Sequence, residues 1–321
     1  MIAANGFSGL STPPKVGAKG AAKEFMLPLA SLDQWSAHVQ TTLNNVKISG
    51  HSPVHDQAND CEMHLGATSS DFAGNPNGLV LEPMNACCTD LPTPPTGVNV
   101  TSGPQEWTGW GDQLVKAQKV VTATGVPRIW PEHLIGGGAS NPNHAVELHP
   151  LVTLAQPGGT KEDFTKNIFA GTYQGGLKEA SGESILKNLK VSVTTVGSQV
   201  TVSFAAGTIG NFCTMSVSIQ TASIVADTDG SLRMTGSVTL VDGTTVPVHM
   251  LSVAGSPINT DIAALRNATG DQTIHSLVLF SLSPEALDAA AHQSSGQAVQ
   301  VAVPVQLILY GEAEDSEGGD D

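Results

Sequence analysis

The chain has 321 residues, of which 40 % are hydrophobic but only 4 % aromatic, with 34 Gly, 19 Pro and 13 % charged residues. Such a core has to be built from Val, Ile, Leu and Ala, and the Gly and Pro content points to strands joined by many turns rather than to a helical bundle. The net charge is −15; Glu312, Glu314, Asp315, Glu317, Asp320 and Asp321 supply six of those charges, and the −9 that remains argues against binding a nucleic-acid backbone while suiting cations or neutral ligands.

No apolar run approaches the roughly 18 residues of a membrane-spanning helix. The N-terminus, Met1-Ile-Ala-Ala-Asn-Gly-Phe7, lacks the basic-then-apolar layout of a secretory signal. The expected location is therefore cytoplasmic if Met1 is the native start, and exported if a signal has been removed. Cys61, Cys87, Cys88 and Cys213 leave two states open: a disulfide from Cys61 to Cys87 or Cys88 in an oxidising compartment, or free buried thiols. With no Cys-x-x-Cys spacing, a thiolate zinc site is not expected.

In chain order, residues 1–30 read as a flexible lead-in, and Ser31 to Leu43 as a short helix capped by Ser31 with Trp35 and Val39 facing inward. Extended segments follow at Val46–Gly50, Cys61–Thr68 and Gly78–Glu82. On the second, alternation places Cys61, Met63 and Leu65 inward and Glu62 and His64 outward. A Pro-rich loop over residues 91–95 leads to a helix over Glu106–Lys119, then to strands over Lys119–Gly125, continuing brokenly through Ile129-Trp130, and His144–Leu154. Three strands, a helix and two strands, with glycine near the bend of the first, is the order of an OB-fold, a five-stranded Greek-key barrel.

The same region carries, in order, Val46-Lys-Ile-Ser-Gly50, Asp60-x-Glu-x-His-Leu65, Val80-Leu-Glu-Pro83, Thr122-x-Thr-Gly125, Pro131-Glu-His133 and Glu147-Leu-His-Pro150. This series resembles a set of small bacterial domains that carry Asp-x-His-Leu, Glu-Ile-Pro, Val-Thr-Gly, Asp-x-x-His and Glu-Leu-His-Pro or Glu-Ile-His-Pro in that order. The resemblance covers about residues 44–155 and implies an OB-like barrel without attaching an activity. The chain departs from it at Pro131-Glu-His133, where the acid stands two positions nearer the histidine.

Gln156-Pro-Gly-Gly-Thr160 is a natural boundary. Beyond it, alternating runs at 189–194 and 199–204, at 214–225, at 232–241 and 245–253 across Asp242-Gly243, at 274–282 and at 298–310 predict an antiparallel sandwich, with a helix capped by Ser283 between the last two. The expected organisation is thus a lead-in (1–30), an OB-like barrel (31–156), an antiparallel β-sandwich (160–310) and a disordered acidic tail (311–321).

Seven of the ten histidines, His38, His51, His55, His64, His133, His144 and His149, fall in the first 150 residues, among Asp56, Asp60, Glu62, Glu82, Glu132 and Glu147. A divalent metal needs three or four N or O ligands on one point. The second, third and fifth strands of a small barrel can supply His64, Glu82, Glu147 and His149, with His133 as a further ligand from a loop. Zn²⁺ or Mn²⁺ with an open position there would activate water toward an ester or phosphodiester, with Glu62 as general base. Two other readings of the same strands are a metal-free acid–base site and a solvated sheet face that fixes register.

The remaining motifs point to structure. His51, His55 and Asp56 read as solvated loop residues. No Gly-x-Ser-x-Gly elbow occurs, Gly136-Gly-Gly138 lacks the Lys-Ser/Thr of a phosphate loop and reads as a hinge, and Trp107, Trp110 and Trp130 read as packing rather than a stacking platform. Asp227-Thr-Asp-Gly230 lacks the downstream Glu of a calcium loop, and His249 and His275, alone on apolar strands, are expected as satisfied core or interface histidines. Two functions remain: a binding or scaffold module whose sandwich meets a protein partner, a neutral ligand or copies of itself, and a metal-dependent hydrolase.

Overall fold

The computed structural model describes residues 23–55, 60–69, 78–91, 103–134, 138–159, 161–170, 176–205 and 209–311. Expectations for residues 1–22, Asp56, the Pro-rich loop at 92–95, Gly136-Gly137 and the acidic tail beyond Gly311 lie outside these residues.

The described chain opens with β1 (Lys23–Pro28) and α1 (Leu29–Ala37). Two expectations are corrected here. Residues 23–30 are ordered structure, because β1 pairs antiparallel with residues 199–204 far along the chain. The helix starts two residues before Ser31, with Pro28 in the cap position, and stops at Ala37 because His38 is already extended (φ −135°). Next comes β2 (Thr41–His51), whose buried positions Thr41, Leu43, Val46 and Ile48 alternate except for one step of three. The pairing register slips at that step, between Leu43 and Val46, as a strand bulge requires.

Four more strands and a helix complete the barrel: β3 (Leu65–Ser69), β4 (Leu79–Leu81), α2 (Gly103–Ala117), β5 (Val120–Ile129) and β6 (Val146–Ala155). Pairing runs β2–β3–β4–β6–β5 and returns to β2, with β4·β6 the parallel pair. This closed five-stranded ring is the OB-like barrel expected from the order of elements. Helix α2 buries Trp107, Trp110 and Leu114, one face of a 3.6-residue period, and the Trp107 indole donates to the Thr89 carbonyl (2.8 Å), so these rings pack rather than form an open platform. Gly66 of β3 is required by close approach: a Cβ there would lie 1.9 Å from the Ala139 carbonyl oxygen.

The chain does not leave the barrel cleanly at 156–160, since β7 (Lys161–Asp163) pairs back onto β6. Then come α3 (Glu179–Asn188), β8 (Lys190–Val196) and β9 (Gln199–Ala205), the last two a hairpin turning at Gly197 (φ 61°). They are followed by β10 (Phe212–Ile219), β11 (Val225–Ala226), β12 (Leu232–Thr239) and β13 (Thr245–Ser252), the last two joined across Asp242-Gly243 as predicted. The chain ends with α4 (Pro257–Leu265), β14 (Gln272–Leu282), α5 (Pro284–Gln293), β15 (Val299–Gln300) and β16 (Val305–Gly311). Ser283 caps α5 by accepting the Ala286 N–H (3.2 Å). The single strand expected over 298–310 is split, and its two pieces join different sheets.

One layer of the second half is the antiparallel sheet β1–β9–β8–β15. The other is β10–β12–β13–β16–β14, which differs from a flat sandwich layer in two ways: β13·β16 is parallel, and β10 also pairs with β14. This layer therefore closes in the same order as the first barrel, with α4 standing between its third and fourth strands as α2 does in the first. The two rings touch at equivalent places, where Leu282 of β14 pairs with Ile129 of β5. One core cluster runs through both halves. Among the described residues no helix is long and apolar enough to cross a membrane.

Because Ala139 leaves no room beside it, Gly66→Ala is expected to lower stability by ~1–3 kcal/mol, read as a reduced denaturant midpoint. Val241→Ala, at the 92 % exposed hairpin tip, is expected to shift it by less than ~0.5 kcal/mol. Equal effects at the two positions would contradict the close approach.

Candidate metal centre

Glu62 and His64 lie just before β3 rather than within a strand. Cys61 turns the chain with a positive φ (57°) and is joined to Cys87 by a disulfide. The segment that follows still runs beside 52–55: the Ser52 N–H donates to the His64 carbonyl (2.9 Å) and the His55 N–H to the Glu62 carbonyl (2.9 Å). Glu82 follows β4 and is clamped to β6 by its N–H to the Leu148 carbonyl (3.0 Å) and by the Leu151 N–H to its own carbonyl (2.9 Å). Glu147 and His149, two apart on β6, share a face.

Strand alternation predicts Glu62 and His64 on an outward, solvated face. That is corrected: Glu62 is 0 % and His64 8 % exposed, and Glu82, Glu147 and His149 are buried as well. Alternation reveals two faces but not which is covered. Here the second half closes over His149, with Phe212 against its ring (centroids 5.6 Å) and Tyr310 against Phe212 (5.7 Å).

His149 stands at the centre. Its Nδ1 lies 2.7 Å from Glu82 Oε2 and 3.2 Å from Glu147 Oε1, and its Nε2 lies 2.7 Å from Glu62 Oε1. His64 Nε2 is 3.2 Å from Glu82 Oε1, and His144 Nε2 is 3.0 Å from Glu147 Oε2. Four of the five expected ligand residues, with Glu62, thus converge. The fifth, His133, stands at the rim, its ring 6.2 Å from His64 and stacked on His144 at 5.2 Å.

Arg128 is a member of the centre that the sequence does not single out. It is buried beside Glu147, to which it donates through Nη1, while Nη2 donates to Asn211 Oδ1 and Nε to the Phe280 carbonyl (2.7 Å). A signal exists, since Arg128 pairs with Glu147 across β5·β6, but that register is hidden by the Gly125 and Pro127 irregularities.

The electrostatics follow from burial and partners. Burial alone would raise the Glu147 carboxyl, but Arg128, with His144 and His149, holds it well below the usual carboxylate range. Burial pushes Glu62 well above that range, and His149 offsets this only in part. Glu82, pushed up by burial and by Glu147, ends lower than usual because His64 and His149 face it. Burial disfavours charge on His149, yet Glu62 and Glu82 hold it protonated well above the ordinary imidazole range. At the rim, burial pushes Glu132 up to about 7 despite Arg128, and lowers His133. Among the described residues no donor is aligned on either Glu62 oxygen or on Glu82 Oε1, and His149 Nε2 has no aligned acceptor, although these atoms crowd together.

The second ring is an internal control. Ile129 pairs with Val146 as Leu282 pairs with Val305, and Arg128 with Glu147 as Ser281 with Gln306. In the same way Leu81 pairs with Leu148 as Met250 pairs with Leu307, and Leu65 with Leu81 as Met234 with Met250. The equivalents of Arg128, Glu147, His149 and Glu82 are therefore Ser281, Gln306, Ile308 and Leu251, and Ser231 stands for Glu62. A ring of this order closes without a charged cluster.

The other candidates resolve simply. His51 pairs with Asp112 (3.1 Å) and His55 with Asp60 (2.6 Å). Asp227 accepts the Val39 and Thr228 N–H groups (2.6 and 2.7 Å), a turn rather than a calcium loop. His275 is exposed and His249 lies 3.6 Å from Glu285, so neither is a core histidine.

Removing one partner of a buried ion pair strands the other charge. Arg128→Ala is accordingly expected to cost ~3–5 kcal/mol, and the pair exchange Arg128→Ser with Glu147→Gln clearly less, by chemical denaturation. A double variant as unstable as the sum of its singles would contradict the pairing. Burial pushes the Cys213 thiol up to about 12. In the native oxidised protein iodoacetamide should therefore label exposed Cys88 and spare buried Cys213, which peptide mass mapping reads directly. Compared with known proteins, the chain matches no protein-family profile, no curated protein sequence and no solved structure.

Proposed function

We propose that this protein binds a divalent cation in its first barrel, through Glu62, Glu82, Glu147 and His149 with His64 beside them. One observation carries the reading: carboxylate and imidazole atoms from three separate chain segments converge at separations of 2.7 to 3.2 Å in a buried site, several without an aligned hydrogen bond. Neighbouring ligands on a metal with bonds of about 2 Å stand about 3 Å apart. The oxygen-rich donor set with imidazole suits Mn²⁺ or Zn²⁺. The groups through which the chain resembles small bacterial OB-like domains, in its Glu-x-His-Leu, Leu-Glu-Pro and Glu-Leu-His-Pro segments, are the ones that meet here. The second ring, uncharged at the equivalent positions, supports a ligand role, since the fold itself does not call for these charges.

The ligands' burial favours binding over turnover at the inner cluster, so the leading reading is a cation-binding module. A metal-dependent hydrolase is the second reading, and one observation favours it. Glu132, half-buried at the rim and pushed up to about 7, is suited to exchange protons near neutral pH, a role the enclosed Glu62 is poorly placed to fill.

Metal analysis of protein purified without added metal should find bound Mn²⁺ or Zn²⁺, lost in the Arg128→Ser/Glu147→Gln/His149→Ile variant that copies the second ring at those three positions. Added metal at about a hundredfold its Kd should stabilise the metal-stripped wild-type protein by ~2.7 kcal/mol and leave that variant's unfolding midpoint where it was. A folded wild-type protein that holds no metal and shows no such shift would overturn the reading.

A further inference from the structure

We propose that His55, Asp60 and His64 form a second cation position at the mouth of the same centre, one that leaves coordination open to a small oxyanion from solution. The inference rests on the reading of this barrel as a metal centre and adds to it the place where an outside ligand meets the metal.

The three residues each offer a ligand atom, and these atoms lie within 4.8 Å of one another. His55 Nδ1 is 2.6 Å from Asp60 Oδ1, and the His55 ring meets the His64 ring edge-on with centroids 4.9 Å apart. Two imidazoles and one carboxylate are the donor set by which proteins hold a zinc or iron ion that keeps positions free for a substrate.

Exposure separates this position from the inner one. The side chains of His55, Asp60 and His64 are 30, 19 and 10 % exposed, against 0 to 3 % for Glu62, Glu82, Glu147 and His149. An ion among the outer three would face solvent on one side. The inner set would surround its ion with protein. His64 stands between the two, its Nε2 turned to Glu82 and its ring against His55. A water or an anionic oxygen can complete a partly filled first-row cation, so the class of ligand is a carboxylate or phosphate oxygen.

The test uses the full chain, stripped with a chelator and titrated with Zn²⁺. Two equivalents are expected in the wild type, one in His55→Ala and one in Asp60→Asn, and one outer equivalent in Arg128→Ser/Glu147→Gln/His149→Ile. In the cobalt(II) form, inorganic phosphate or acetate should change the visible absorption of the wild type and of the inner-site variant but not of His55→Ala. Both outer residues are partly exposed, so circular dichroism should show these variants folded. A single equivalent that His55→Ala and Asp60→Asn leave in place would overturn the outer site and leave the inner reading standing, as would two equivalents retained in both variants. One equivalent lost in His55→Ala and kept in the inner-site variant would support the outer site and overturn the inner one. No zinc in the wild type would overturn both.

Discussion

The buried pairing of Arg128 with Glu147 is the interaction on which the centre depends. Arg128 is enclosed by protein, and its five N–H donors can be satisfied there only by acceptors held in place. Glu147 of the first ring supplies one, and Asn211 and the Phe280 carbonyl supply others from the second half. The guanidinium keeps Glu147 ionised, and an ionised Glu147 draws in His144 and His149. His144 shows the consequence most plainly. Its Nδ1 must donate to the Pro142 carbonyl (2.7 Å), so its Nε2, 3.0 Å from Glu147, needs a second proton to make a favourable contact.

Such a cluster is costly, because several charges must leave water. The second ring bears on whether the fold demands that cost. It closes in the same order, has its own helix between the third and fourth strands, and carries Ser281, Gln306, Ile308 and Leu251 where the first ring carries Arg128, Glu147, His149 and Glu82. Buried ion pairs are often replaceable by apolar residues without loss of stability. On the proposed reading the charged set is explained by what it holds rather than by what it stabilises, and Phe212, which packs on the His149 ring with Tyr310 behind it, covers it from the second half.

Much of this architecture is legible in the amino-acid sequence. Alternation and turn chemistry mark the β8–β9 and β12–β13 hairpins, and the order of elements marks the first barrel. The Glu147 and His149 pair stands out because a strand puts residues two apart on one side. Closure of the second ring is hidden, because it depends on a parallel β13·β16 pairing across about fifty intervening residues, and parallel pairing leaves no local turn signal. The region over 298–310 reads as one strand because both of its pieces are β-prone. Arg128 is obscure for a related reason, since Gly125 and Pro127 break the regularity that would set it opposite Glu147.

The disulfide gives the centre a further constraint that does not rely on charge. Glu62, His64 and Glu82 all lie between Cys61 and Cys87, inside a closed loop with a sequence separation of 26. Closing a loop of that length removes conformations from the unfolded chain more than it adds contacts to the folded one. For these three side chains the effect is local, because the bond ties the residue before Glu62 to a residue shortly after Glu82 and limits how far the two carboxylates can separate. Glu147 and His149 lie outside the loop and are held instead by β6, paired on both sides by β4 and β5. The proposed ligand set is therefore preorganised by two independent devices, one covalent and one of sheet pairing, that meet at His149. Preorganisation of this kind matters most when like charges must stay together until a cation arrives, and Glu82 and Glu147, both held ionised, are two such charges in the proposed site.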